Sequence, residues 1–146
     1  MSFSDRELLA RLIQCEAGEE GENVMKAVAG VVMNRVHARG GEFARVGQGN
    51  LRSIIFQPYQ FPCASETTGG IYNPQNLFNM RPEQIHYDIA DWAMAGNRLL
   101  DAAESLWFYD SFGPPCRAMY PLDQGYWAAR IGTHCFYNPT DAYYQS

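Results

Sequence analysis

The first half of the chain contains two stretches in which apolar residues recur at helical spacing. In the first stretch the apolar face consists of Leu8, Leu9, Leu12 and Ile13. Ser4 precedes this face and Glu7 follows three positions later, the pattern of a capping box in which Ser4 accepts backbone N–H bonds and Glu7 reaches back. We therefore predict a first helix from Asp5 to Cys15 or Glu16.

The second stretch follows a loop that is rich in glycine and glutamate. Its apolar stripe consists of Val24, Ala27, Val28, Val31, Val32 and Val36. A β-strand is the alternative for part of this stretch, but its length and alanine content favour a helix. We predict a second helix that begins near Glu22 and ends before Gly40 and Gly41, since paired glycines interrupt helices.

The central part of the chain predicts shorter elements. Residues 50–56 indicate a short helix, and residues 63–81 indicate an irregular lobe that can form the wall of a cleft. Pro82 and Glu83 begin another predicted helix, because proline is tolerated in the first turn. The apolar side of this helix is assigned to Ile85, Ile89, Trp92, Ala93 and Leu100.

The fold class predicted from these elements is α+β, mainly α, with a small β element. The β element is assigned to residues 105–109 and 133–137, which read SLWFY and THCFY. The chain has 146 residues, of which 47% are hydrophobic and 18% charged, and no repeat or linker interrupts it. We therefore expect one globular domain over residues 1–146.

The charge and hydropathy of the chain argue against two classes of partner. The net charge of −5 disfavours attraction to nucleic acid or to anionic lipid. The chain lacks an apolar run of about 18 residues, so we expect no membrane span. The N-terminal sequence has no uninterrupted apolar segment, so we expect cytoplasmic synthesis without a secretory signal peptide.

Four cysteines, Cys15, Cys63, Cys116 and Cys135, occur without a CxxC pair or zinc-finger spacing. We therefore expect no metal site. The expected absence of a signal peptide favours free thiols at synthesis. Cys116 and Cys135 lie in one segment and are able to pair later, whereas Cys15 is expected to pack in the core.

Glu16 stands at the junction of the two predicted core helices, and it is the leading candidate for chemistry. Partial desolvation raises the pKa of a carboxyl group, and the neighbouring Glu19, Glu20 and Glu22 are expected to act in the same direction. A glutamic acid that keeps its proton near neutral pH can protonate a glycosidic oxygen. The alternative is a carboxylate that only caps or solvates a helix end.

Four blocks of the chain resemble the SleB/CwlJ-type cell-wall hydrolases, which are spore cortex-lytic enzymes that act in germination. The blocks are CEAGEEGENVMKAVAGVVMNRV (residues 15–36), IIFQPYQF (54–61), SLWFY (105–109) and RIGTHCFYNPT (130–140). The resemblance extends from Leu8 to about Thr140 and is closer to the CwlJ branch. It implies a lysozyme-like domain, similar to lytic transglycosylases, that needs no cofactor.

The resemblance also implies roles for individual residues and a location. The catalytic glutamate of the family's Glu-Ala pair corresponds to Glu16, and a second family glutamate corresponds to Glu20, for which we expect a substrate-binding role. Between Thr67 and Arg81 the chain departs from the SleB pattern, so no detail of the substrate wall is transferred there. The implied partners are peptidoglycan glycan strands and a spore-coat anchoring protein, with synthesis in the mother-cell cytoplasm and residence in the spore coat.

The implied reaction is cleavage of the β-1,4 bond between N-acetylmuramic acid and N-acetylglucosamine, with Glu16 as the proton donor. A retaining hydrolase needs a second carboxylate about 5 Å away. In a lytic transglycosylase the muramyl C6 hydroxyl attacks C1 of the same sugar, so one carboxyl group suffices. No second carboxylate stands out in the sequence, since Asp88, Asp91 and Asp101 are expected to face solvent, and this favours the one-glutamate mechanism.

Further substrate contacts are assigned to polar and aromatic residues. Gln57 and Gln60 can bond acetamido or hydroxyl groups, or can simply close a helix as turn residues. Trp107, Tyr109 and Trp127 can line sugar subsites, or can belong to the core. His134 is expected to be a buried, hydrogen-bonded structural histidine, with a proton donor as the alternative.

Two other functions compete with glycan cleavage. A glycan-binding spore-coat protein would keep the fold without the chemistry, although the proposed acid is intact. A peptidoglycan amidase or thiol hydrolase would cut the stem peptide. A cysteine nucleophile needs a histidine base, and no histidine stands in a nucleophile motif.

Overall fold

A computed structural model describes residues 2–117 and 124–146 of the chain. Its α-helices are α1 (Asp5–Ala17), α2 (Glu22–Val36), α3 (Gly41–Gly47), α4 (Leu51–Ile55), α5 (Gln84–Met94) and α6 (Asp141–Gln145). Its strands are β1 (Thr67–Thr68), β2 (Ile71–Tyr72), β3 (Trp107–Asp110), β4 (Gly125–Ile131) and β5 (His134–Pro139). Short 3-10 turns occupy Pro62–Ala64, Leu77–Asn79 and Leu100–Ala102. The predicted α+β, mainly α fold class is confirmed.

Helices α1, α2 and α5 contact one another and form the centre of the core. The predicted apolar faces of α1 and α2 are buried, which confirms the helical reading of both stretches. Ser4 caps α1 by accepting the backbone N–H of Glu7 at 3.1 Å. The other half of the predicted capping box is wrong, because the Glu7 carboxylate accepts instead from Arg11 Nε at 2.8 Å.

Helix α5 ends earlier than the sequence pattern suggests. Gly96, with a φ of 97°, follows its last turn and turns the chain away. Leu100 therefore does not extend the apolar side of the helix, and lies 88% exposed in a 3-10 turn.

The β element is an antiparallel sheet in the order β3-β5-β4. Strands β3 and β5 confirm the two predicted β pieces, whereas β4, α3 and α6 were not predicted. Cys116 and Cys135 form a disulfide that is anchored in β5, which confirms the suggested pairing. His134 is buried in β5 as expected, although its buried Nδ1 has no hydrogen-bond partner among the described residues.

The predicted irregular lobe contains a small hairpin made of β1 and β2. None of the described helices is both long enough and apolar enough to span a membrane.

Candidate active site

Glu16 lies in the last turn of α1, and its carboxyl group is largely withdrawn from water. Its Oε1 atom is buried and has no hydrogen-bond partner among the described residues. Burial raises the pKa of Glu16 to about 7, against an ordinary value of 4.5. A backbone hydrogen bond at Cys63 and the positive charge of Arg35 act in the opposite direction. The group therefore exchanges its proton near neutral pH.

The cause of this pKa shift differs in part from the sequence prediction. Desolvation was expected and is the largest cause. The neighbouring carboxylates were also expected to contribute, but Glu19, Glu20 and Glu22 are not among the causes. Glu19, Glu20 and Glu22 are exposed to water, which screens their charges.

Glu16 opens onto a cavity of about 610 Å³ at the end of α1, which we call the acid cavity. Its lining residues are Gln14, Cys15, Glu16, Ala17, Gly18, Glu19, Glu20, Gln75, Met80, Glu83 and His86. Glu20 is thus brought to the candidate acid, as the sequence suggested. The described residues contain no group of three or more acidic, histidine or cysteine side chains arranged to hold a metal ion.

His86 belongs to the same cavity, and the sequence prediction did not assign it a role there. It closes a capping box at the start of α5, where the backbone N–H of Glu83 donates to His86 Nδ1 at 2.9 Å. Because Nδ1 accepts, the ring proton resides on Nε2. Burial lowers the pKa of His86, which favours this neutral form. The acid cavity is therefore lined by a hydrogen-bond donor at a fixed position, the His86 Nε2–H, as well as by Glu16.

Cys15 packs in the buried core as expected, but its sulfur is joined by a disulfide to Cys63 rather than being a free thiol. The two Cα atoms are 6.1 Å apart although the residues are separated by 48 positions. All four cysteines are in disulfides in the folded chain. A sulfur held in a disulfide is not a thiolate nucleophile, and this disfavours the thiol hydrolase.

Arg35 is a buried cation of α2, only 4% exposed. Its Nε donates to the carbonyl oxygen of Leu106 at 2.7 Å, and its NH1 donates to Gln60 Oε1 at 3.2 Å. The guanidinium also lies over the rings of Phe43 and Phe61, 4.4 and 5.0 Å from their centroids. Arg35 therefore connects α2 to Leu106, which directly precedes β3, and to Gln60 in the loop after α4. Its charge also lowers the pKa of Glu16.

The sequence comparisons agree on one family. The family model described as Cell Wall Hydrolase matches residues 19–137. The chain belongs to the cell wall hydrolase family. It is therefore an enzyme that acts on the cell wall. The family match begins three positions after Glu16, so the assignment of the acid depends on the Glu-Ala resemblance and on the geometry of the acid cavity.

Three curated relatives are each called cell wall hydrolase CwlJ. The one from Bacillus subtilis is 31% identical over 137 residues, which is 94% of this chain and 87% of the relative. Those from Oceanobacillus iheyensis and Halalkalibacterium halodurans are 35% and 32% identical, over 93% and 94% of this chain and 87% of each relative. No solved structure matches the chain.

A second cavity of this cell wall hydrolase, of about 540 Å³, is bounded mainly by apolar and aromatic groups. We call it the aromatic cavity; its lining residues are Phe56, Gln57, Pro58, Tyr59, Phe61, Pro62, Ala64, Ser65, Thr67, Thr68 and Gly69. Gln57 Nε2 donates to Glu42 Oε1 at 3.1 Å, whereas its buried Oε1 has no partner among the described residues. Gln60 does not line this cavity and contacts Arg35 instead.

The three aromatic residues assigned to the hydrolase's sugar subsites lie in the small sheet. Trp107 packs edge-on against Tyr143 with ring centroids 5.1 Å apart. Tyr109 accepts the backbone N–H of Arg117 at 2.8 Å through its hydroxyl group, and Trp127 is 54% exposed on β4. The linings of the acid and aromatic cavities include none of these three side chains. Their role in substrate binding stays a prediction.

Proposed function

We propose that this cell wall hydrolase cleaves the β-1,4 bond between N-acetylmuramic acid and N-acetylglucosamine of spore-cortex peptidoglycan during germination. The observation that carries the proposal is a desolvated Glu16 with a pKa of about 7 on the wall of a 610 Å³ cavity. This combination suits a residue that first gives up a proton and then takes one back.

In the proposed reaction Glu16 protonates the bridging oxygen while the C1–O bond breaks and positive charge develops at C1. The carboxylate that remains then accepts the proton of the muramyl C6 hydroxyl as this oxygen attacks C1. The product is a 1,6-anhydromuramic end, and no water is consumed. Because both partners belong to one sugar, the attack avoids the entropic cost of recruiting water.

Hydrolysis is the second candidate reaction, since three more carboxylates border the acid cavity. They belong to Glu19, Glu20 and Glu83. No second carboxylate stood out as a nucleophile in the sequence; Glu19 and Glu20 are neighbours of Glu16 along the chain, and the fold adds Glu83. All three are solvent-exposed, and the Glu83 side chain accepts the backbone N–H of His86 in the α5 capping box. We favour transglycosylation because Glu83 has this structural role and Glu19 and Glu20 lie in open solvent.

The proposed substrate contacts follow from unpaired polar groups. Gln57 Oε1 is a buried acceptor at the aromatic cavity, and it suits the N–H of an acetamido group. The His86 Nε2–H suits an acetamido carbonyl in the acid cavity, where anionic groups would be repelled by the surrounding carboxylates. Glu20, Gln60 and the aromatic residues of the sheet are retained as weaker candidates. Residence in the spore coat and an anchoring coat protein complete the proposal.

The products of digested cortex peptidoglycan test the reaction. We expect mass spectrometry to detect glycan fragments with anhydromuramic ends. Fragments that end in reducing muramic acid would show that the enzyme hydrolyses the bond instead of forming the anhydro product. Freed stem peptides would indicate an amidase, and unaltered cortex would indicate a glycan-binding protein; either result would contradict the proposal.

A variant at His86 tests the substrate contact. His86→Asn is expected to raise KM about tenfold, because the shorter asparagine can still accept the Glu83 N–H but has no donor at the position of His86 Nε2, while kcat changes less. Gln84→Asn serves as the control, since Gln84 lies on the same helix and bonds Asp88 at an exposed position. An unchanged KM for His86→Asn would show that His86 does not contact the substrate.

A further inference from the structure

The Cys15–Cys63 disulfide lies beside the candidate acid. Cys15 is the residue that precedes Glu16 in the last turn of α1, and it lines the acid cavity. Cys63 is the central residue of the 3-10 turn Pro62–Ala64. Both cysteines are buried, at 8% and 5% exposure. The cross-link therefore fixes this turn to the end of α1 that bears Glu16.

The same turn lies against the Glu16 carboxyl group and also lines the aromatic cavity. The backbone of Cys63 forms a hydrogen bond with the Glu16 carboxyl group. Its neighbours Pro62 and Ala64 line the aromatic cavity. The turn thus covers one side of Glu16 and borders the aromatic cavity.

The turn is also held by noncovalent contacts from the lobe and from the adjacent chain. Asn73 Nδ2 donates to the carbonyl oxygen of Pro62 at 3.2 Å from the exposed lobe that carries the β1–β2 hairpin. Phe61, which precedes the turn, packs against Arg35 and Phe108. The disulfide is the covalent link between the turn and α1.

We propose that the Cys15–Cys63 disulfide is a positioning element of the active site, which holds the Pro62–Ala64 turn over Glu16 and keeps water from its carboxyl group. Loss of the cross-link allows the turn to move away and water to reach Glu16. Hydration of Glu16 lowers its pKa, whereas loss of the hydrogen bond from the Cys63 backbone raises it. Because burial is the largest cause of the raised pKa, the effect of hydration is the larger one, and the pKa of Glu16 falls. The proposal concerns the surroundings and the pKa of Glu16. Only the measurement of activity rests on the proposed function.

Other titratable or charged groups line the acid cavity or act on the pKa of Glu16, and they remain when the disulfide is removed. They are Arg35 from α2, Glu83 and His86 from the start of α5, and Glu19 and Glu20 after α1. Since both serine substitutions are neutral, a change in the titration of Glu16 reports on hydration and hydrogen bonding rather than on a removed charge.

The second disulfide of the chain provides a matched control. Cys116 and Cys135 join a loop to β5, and neither residue lines the acid or the aromatic cavity. The test compares C15S/C63S with C116S/C135S in the full chain by carbon-13 NMR titration of carboxyl-labelled glutamate. The Glu16 signal is identified by its disappearance in E16Q.

We expect the pKa of Glu16 to fall by about one unit or more in C15S/C63S and to stay unchanged in C116S/C135S. The protonated form is the active acid, so activity is lost as pH rises through this pKa. The alkaline limb of the pH–rate profile should therefore move to lower pH by the same amount. Treatment of C116S/C135S with the dithiol dithiothreitol, which is oxidised as it reduces the remaining disulfide, should reproduce the shift.

Two results would overturn the proposal: a Glu16 titration in C15S/C63S that matches the parent protein, or a C15S/C63S variant that is unfolded by circular dichroism. An unfolded variant would show that the disulfide stabilises the whole fold rather than positioning the turn over Glu16. If the NMR shift occurs but the parent protein produces no glycan fragments, the positioning role of the disulfide stands and the proposed function fails.

Discussion

Glu16→Gln is expected to lower the rate of glycan cleavage by at least about a hundredfold, because glutamine keeps the shape of the side chain but has no acidic proton. Glycan binding and the fold should be retained, since Glu16 Oε1 makes no hydrogen bond to a described residue. The rate is measured as release of soluble fragments from cortex peptidoglycan. Glu22→Gln is the control, because Glu22 is exposed, pairs with Lys26 at 3.2 Å and does not line the acid cavity.

The same variant should be more stable than the parent protein at alkaline pH. The pKa of Glu16 is raised in the folded state, so folding becomes less favourable as pH rises from the ordinary value of 4.5 to about 7. Glutamine carries no charge that must be desolvated. We expect a gain of about 2 kcal/mol in the free energy of unfolding at pH 8 and little gain at pH 4. Equal gains at both pH values, or full activity of Glu16→Gln, would contradict the assignment.

Arg35→Met is expected to lower the free energy of unfolding by about 3 kcal/mol, the largest stability change that we predict. Methionine replaces the volume but leaves the Leu106 carbonyl and Gln60 Oε1 without the donors that now serve them. It also removes the charge that lowers the pKa of Glu16, so this pKa should rise further.

Urea denaturation measures the first effect of Arg35→Met and carbon-13 titration the second. Arg39→Met is the matched control, since Arg39 is exposed and lies over the ring of Tyr144. If Arg35→Met lost no more stability than Arg39→Met, the buried contacts of Arg35 with Leu106 and Gln60 would contribute little to the free energy of unfolding.

Local sequence predicted the two central helices and the position of Glu16 because the information lies within a few turns of chain. The apolar stripes of α1 and α2 repeat at helical spacing, and both stripes are buried. The desolvation of Glu16 follows from its position at the end of one such stripe. Helix α5 shows the limit of this reasoning, since its apolar pattern continues to Leu100 whereas Gly96 has already ended the helix.

The surroundings of Glu16 were not predicted, because tertiary contacts create them. Cys63 is 48 positions from Cys15, and no spacing rule pairs them. His86 was considered only as a base for a cysteine, and its role depends on a capping box that fixes the ring beside a cavity. A histidine three positions after a candidate N-cap glutamate was the one local signal available. The influence of Arg35 on the pKa of Glu16 likewise depends on a tertiary contact, because the two residues lie on different helices.

The titration of Glu16 in the parent protein tests the central claim most directly, because the proposed reaction requires a carboxyl group that keeps its proton near neutral pH. Carbon-13 NMR of carboxyl-labelled glutamate, assigned with E16Q, yields this value without any assumption about the substrate. We expect a pKa of about 7 for Glu16. A pKa near the ordinary value of 4.5 would mean that water reaches the group freely, and would contradict its role as the acid.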